Sequence, residues 1–157
     1  MNENRTIPDY LETLEWLPRA SVQTLASAMD VGDPSNMERL RHLVGDADVL
    51  REQLGVLSVD DGQIETSIKR DFAEFGFATC PHTATATHTW RQLDERLVNS
   101  HDWILVATAH PAKFETIVEP LIGEPVPVPP ELSALLSRPA QATTIEPTLA
   151  ALATVLE

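Results

Sequence analysis

Apolar positions recur along this chain at two different spacings. Ile7, Tyr10, Leu11 and Leu14 fall on one side of a helical wheel, which predicts an amphipathic helix over 7–16. Met37, Leu40 and Leu43 repeat that spacing behind the turn-and-cap pair Asp33-Pro34. Gly45 reads as the stop of this second helix and Asp46 as the start of another short one. Residues 21–29 fit a strand or a helix equally well. The second spacing is shorter. β-Branched or apolar runs at 56–59, 75–79, 103–107 and 143–145 each give way to a helix-start signal. Three of those signals are prolines, Pro81, Pro111 and Pro147, whose missing N–H costs nothing in a first turn; the fourth is the capping pair Asp60-Asp61. Strand and helix in alternation predict an α/β fold, a mainly parallel sheet flanked by helices. The proline-rich stretch 124–130 has few ladder donors and predicts an extended surface connector.

A chain of 157 residues with 43% apolar content predicts a single globular domain over 1–157. The formal net charge of −13 argues against nucleic acid and anionic membrane as partners, since both attract basic surfaces. No run approaches the roughly 20 apolar residues that span a bilayer. The lone Cys80 forms no disulfide framework, which fits a reducing, cytoplasmic setting. His82 and His88 do not share a helical face and make a poor metal pair. No serine sits in a Gly-x-Ser-x-Gly elbow, so an independent hydrolase is not supported.

Three strings carry a resemblance. They are Met29-Asp30-Val31-Gly32-Asp33-Pro34-Ser35-Asn36-Met37-Glu38-Arg39, then Pro81-His82-Thr83-Ala84, then Thr108-Ala109-His110-Pro111-Ala112-Lys113-Phe114. With the opening Thr6-Ile7-Pro8-Asp9-Tyr10-Leu11, they resemble in order and spacing the carboxyl-terminal portion of threonine synthase. Ser27 and Thr85 depart from the pattern, standing where relatives tend to have Asn and an apolar residue. The resemblance implies a fold-type II architecture, similar to the β subunit of tryptophan synthase, built for pyridoxal 5′-phosphate (PLP). It further implies conversion of O-phospho-L-homoserine and water to L-threonine and phosphate. Family members carry a Phe-Lys-Asp segment, whose lysine forms the imine, and a Gly- and Asn-rich phosphate loop. Neither occurs among the two lysines and six scattered glycines of this chain. The chain alone is therefore expected to be inactive and to bind PLP weakly or not at all. The expected partner is an amino-terminal portion of the enzyme. A non-catalytic binding protein that keeps part of the fold is the alternative.

The candidate chemistry gathers where the 103–107 run ends, because open α/β folds place ligands beyond the carboxyl ends of strands. Thr108 is the candidate PLP contact, its hydroxyl suited to a pyridine nitrogen; the resemblance implies the same role, and helix capping is the competing one. His110, held extended by Pro111, either faces the crevice or braces the turn. Lys113 sits in a first turn, where a cation opposes the helix dipole, and so either meets a ligand phosphate or lies solvated beside Glu115 or Glu119. Asn36 and Arg39 are placed to meet an anionic substrate group or to finish a cap and an exposed face. His82, next to the helix-opening Pro81, is a site-lining candidate that either bonds across to a neighbouring loop or is a satisfied structural histidine.

Overall fold

A computed structural model describes residues 1–45, 47–139 and 141–156. Among them are nine α-helices: α1 Thr6–Thr13, α2 Met37–Val44, α3 Ala47–Gln53, α4 Asp61–Phe75, α5 Pro81–Arg91, α6 Glu95–Ser100, α7 Glu115–Ile122, α8 Pro130–Leu136 and α9 Leu149–Leu156. Two short 3-10 turns, Ser27–Met29 and Pro111–Phe114, complete the list. None of these helices is long and apolar enough to cross a membrane.

The expected parallel sheet is not there. No strand occurs among the described residues, and all four runs predicted as strands take other conformations. A strand exists only where a second strand ladders to it. Residues 56–59 come nearest, the Val59 N–H donating to the Met1 carbonyl at 2.8 Å and the Met1 amino group to the Leu57 carbonyl at 2.7 Å. In the 75–79 run, Phe75 is the last residue of α4, and Gly76 turns the chain away with φ at 73°. The 103–107 and 143–145 runs carry no regular secondary structure and have no laddering partner among the described residues.

Helix signals fared better because they are local. Asp60 caps α4 in a full capping box, its carboxylate accepting from the Gln63 N–H while the Gln63 side chain accepts from the Asp60 N–H. Pro81 opens α5, Pro111 opens a 3-10 turn, and Gly45 ends α2. Asp46 lies outside the described residues. The first helix stops at Thr13, because Leu14 takes the left-handed conformation at φ 63°.

The chain divides into two compact units, 1–126 and 127–157. In the first, Tyr10, Leu11, Met37 and Leu50 from α1, α2 and α3 form one buried cluster, bordered by Ile7, Trp16, Leu40 and Val44. Elsewhere in this unit α4 packs on α5 and α7, with Val59, Ile64, Ile68, Cys80, Ala84 and Val118 fully buried. The second unit contains α8 and α9.

Candidate functional site

Pro81 cannot donate a backbone hydrogen bond, and its fixed φ starts α5 so that the next side chain, His82, turns inward. His82 is only 7% exposed, and its Nε2 accepts the Ala28 N–H at 2.9 Å. An accepting Nε2 puts the proton of the neutral ring on Nδ1. Nδ1 is buried and has no partner among the described residues. Burial holds the His82 pKa below the ordinary histidine value, against an opposing pull from the Asp30 carboxylate. The ring lies 4.9 Å from that of Phe114, centre to centre. His82 thereby ties α5 to both 3-10 turns.

The loop that His82 grips is itself fixed by polar groups near the start of the chain. Asn2 and Asn4 are fully buried, Asn4 exchanging two 2.8 Å bonds with the Val22 backbone and Asn2 donating to Asp30 Oδ1 at 2.7 Å. Asp30 also accepts the Thr24 N–H at 3.0 Å and the Thr24 hydroxyl at 2.7 Å. Two exposed-looking asparagines near a chain start carry no sequence signal for burial, and the expectations above omitted them.

Around the second 3-10 turn, the cap is His110, whose Nδ1 accepts the Ala112 N–H at 3.1 Å. The capping role considered for Thr108 is thus taken by another residue. Thr108 is exposed and has no side-chain hydrogen bond among the described residues, and Lys113 is exposed without an ion pair to Glu115 or Glu119. Glu119 instead accepts the Val126 N–H at 2.9 Å. Thr108, His110, Lys113 and, through Phe114, His82 therefore share one corner. Asn36 and Arg39 stand exposed at the start of α2, with no side-chain hydrogen bond or ion pair to that corner among the described residues. Asn36 flanks the helix without a side-chain cap bond.

A buried ionic centre between α4 and α5 had no sequence signal either. Asp71 on α4 is fully buried and accepts the Thr79 and Thr87 hydroxyls at 2.7 and 2.8 Å. Arg91 at the end of α5 pairs with Asp71 at 2.7 Å and with Glu74 at 2.7 Å. Burial works against the Arg91 charge, and the two carboxylates outweigh it, leaving its pKa above the ordinary guanidinium value. The spacing of Asp71, Thr79, Thr87 and Arg91 follows from how α4 and α5 cross, which a linear pattern does not display.

Residues 83–156 match the family model described as the carboxyl-terminal part of threonine synthase. The threonine synthases of Serratia marcescens and Escherichia coli are each 36% identical over 132 residues, covering 84% of this chain and 30% of the relative. The crystal structure of Escherichia coli threonine synthase superposes with a TM-score of 0.78 at 31% identity, over 99% of this chain and 35% of that one. The PLP-bound threonine synthase of Brucella melitensis, at 22% identity, shares the fold with a TM-score of 0.74 over 99% of this chain and 38% of its own. The fold is thus similar to that of the part of Escherichia coli threonine synthase that it superposes on. In sequence the chain is similar to the carboxyl-terminal part of threonine synthases, and it spans 30% of the length of those two bacterial relatives.

Proposed function

We propose that this chain forms the carboxyl-terminal wall of a threonine synthase that converts O-phospho-L-homoserine and water to L-threonine and phosphate. In this reading the imine-forming lysine and the phosphate loop reside on an amino-terminal portion. PLP, when bound, supplies an electron sink for the carbanion chemistry of amino acids. The observation that carries the reading is the free hydroxyl of Thr108, left without a structural task because His110 caps the turn that follows. Thr108 would contact the pyridine nitrogen, a role that a hydroxyl fills without imposing a full charge.

The other candidates take graded parts. His110 holds the backbone of the Thr108 turn. His82, neutral and wedged between Ala28 and Phe114, keeps the two 3-10 turns in register. Lys113 offers a cation to a phosphate, and Asn36 and Arg39 offer weaker anion contacts from α2. The acidic surface suits a small-molecule enzyme of the cytoplasm rather than a nucleic-acid or membrane partner.

Two measurements test this. The chain alone, given PLP and phosphohomoserine, is expected to release no phosphate and to show no stoichiometric pyridoxyl adduct after borohydride reduction. Co-expressed with the amino-terminal portion of a threonine synthase, it is expected to restore phosphate release, and Thr108→Val in that complex to reduce it. Steady turnover by the chain alone overturns the proposal. A stable but inactive complex would instead favour a non-catalytic binding protein.

A further inference from the structure

Each of the two 3-10 turns rests one backbone N–H on a histidine ring nitrogen, Ala28 on His82 Nε2 at 2.9 Å and Ala112 on His110 Nδ1 at 3.1 Å. The two rings differ in burial. His110 is exposed, so water can replace it, whereas His82 is buried against the ring of Phe114. A ring nitrogen that takes up a proton stops being an acceptor. Protonating His82 at Nε2 and keeping the Ala28 bond therefore exclude each other. A charged ring held in place would set two N–H groups face to face, while the buried Nδ1 stayed without a partner among the described residues.

The surroundings confine what gives way. From the 24–30 loop, the Asp30 carboxylate is the charge whose field favours the protonated ring, and burial opposes it. The second turn brings the exposed Lys113 beside Phe114, and on α5 the Cys80 thiol is engaged by the Thr83 hydroxyl at 3.3 Å. The loop has anchors of its own. Asp30 accepts the Thr24 N–H at 3.0 Å, and Asp61, at the start of α4, accepts the Leu25 N–H at 2.9 Å. By contrast, the Ser27–Met29 turn has one hydrogen bond to α5 among the described residues, the one that His82 accepts.

We propose that His82 is a proton-operated latch at the Thr108 corner: the neutral ring holds the Ser27–Met29 turn against α5 and Phe114, and protonation frees that turn while Thr24 and Leu25 stay anchored. The latch is a property of this chain and does not rest on the reaction proposed above. In nitrogen-15 spectra of the chain at low salt, the His82 ring is expected to show the Nδ1–H tautomer at about pH 7.5. On acidification, the ring and the Ser27, Ala28 and Met29 amides are expected to share one midpoint below about 6.5. Hydrogen-exchange protection at Ala28 is expected to fall about tenfold per pH unit below about 6.5, because opening then takes up one proton. Thr24 and Leu25 keep their protection, and Ala112 reports His110 separately. His82→Gln, which keeps an acceptor that does not titrate, is expected to hold Ala28 protection level throughout. The wild-type ring and amide midpoints decide the matter without the variant. An Nε2–H tautomer, an Ala28 amide that does not follow the ring, a midpoint that survives in His82→Gln, or loss of Thr24 and Leu25 protection at the same midpoint overturns the proposal.

Discussion

Gly32 and His82 show how much of this chain's stability rests on single contacts. Gly32 runs against the 19–20 backbone, and a Cβ there would be driven into the Arg19 carbonyl oxygen. The same residue accepts the Thr6 hydroxyl through its carbonyl at 2.7 Å and donates its N–H to Ser21 Oγ at 3.0 Å, so it has no room to retreat. Gly32→Ala is expected to destabilise the chain by about 1–3 kcal/mol, read as a lower urea midpoint at unchanged slope. His82 gives a pH signature. Its folded pKa lies below the ordinary histidine value because burial disfavours the charged ring. The unfolded chain therefore binds the proton first, and stability is full above the unfolded pKa of about 6.5 and falls as pH drops towards the folded value. His82→Gln, whose amide oxygen reaches as far as Nε2 to accept the Ala28 N–H and does not titrate, is expected to flatten that fall between about pH 7.5 and 5. An unchanged pH profile in the variant would assign the fall to other groups.

Among the elements, the crossing of α4 and α5 is the one most committed to charge. Asp71 is buried with two hydroxyl donors and one guanidinium, and removing one member of such a pair strands the other. Asp71→Ala is expected to cost about 3–5 kcal/mol and to loosen α5, on whose first turns His82 sits, while Arg70→Gln on the exposed face is expected to cost under about 1 kcal/mol. Thermal unfolding of the two variants checks the contrast. What the sequence disclosed about elements follows the same division between local and distant causes. The starts of α4 and α5, and the stop of α2, were legible because Asp60, Pro81 and Gly45 act on their own backbone. The strand expectations failed for causes outside each run: 103–107 and 143–145 have no ladder partner among the described residues, 56–59 meets only Met1, and 75–79 is taken up by the end of α4 and the Gly76 turn. Thr108, His110 and Lys113 were found as one string. Asp71 and Arg91, twenty residues apart on separate helices, were not.

For the whole molecule, the exposed apolar run at 103–107 bears on the behaviour expected in solution. Ile104 is 88% and Val106 66% exposed, beside a half-exposed Trp103, in a segment without a ladder partner among the described residues. An apolar edge with free backbone groups is a template for another chain. The net charge of −13 opposes this, and salt decides the contest. At physiological ionic strength charges more than about 8 Å apart are screened, whereas a strand pairing made in direct contact is not. Self-association is therefore expected to rise with salt and concentration in sedimentation velocity runs. Ile104→Lys combined with Val106→Lys places cations on the edge without touching the buried clusters, and is expected to return the chain to a monomer. A wild-type chain that stays monomeric at high salt would show instead that this edge is protected. In a complex with an amino-terminal portion the same pair of lysines should lower complex yield, because one edge cannot serve two partners at once.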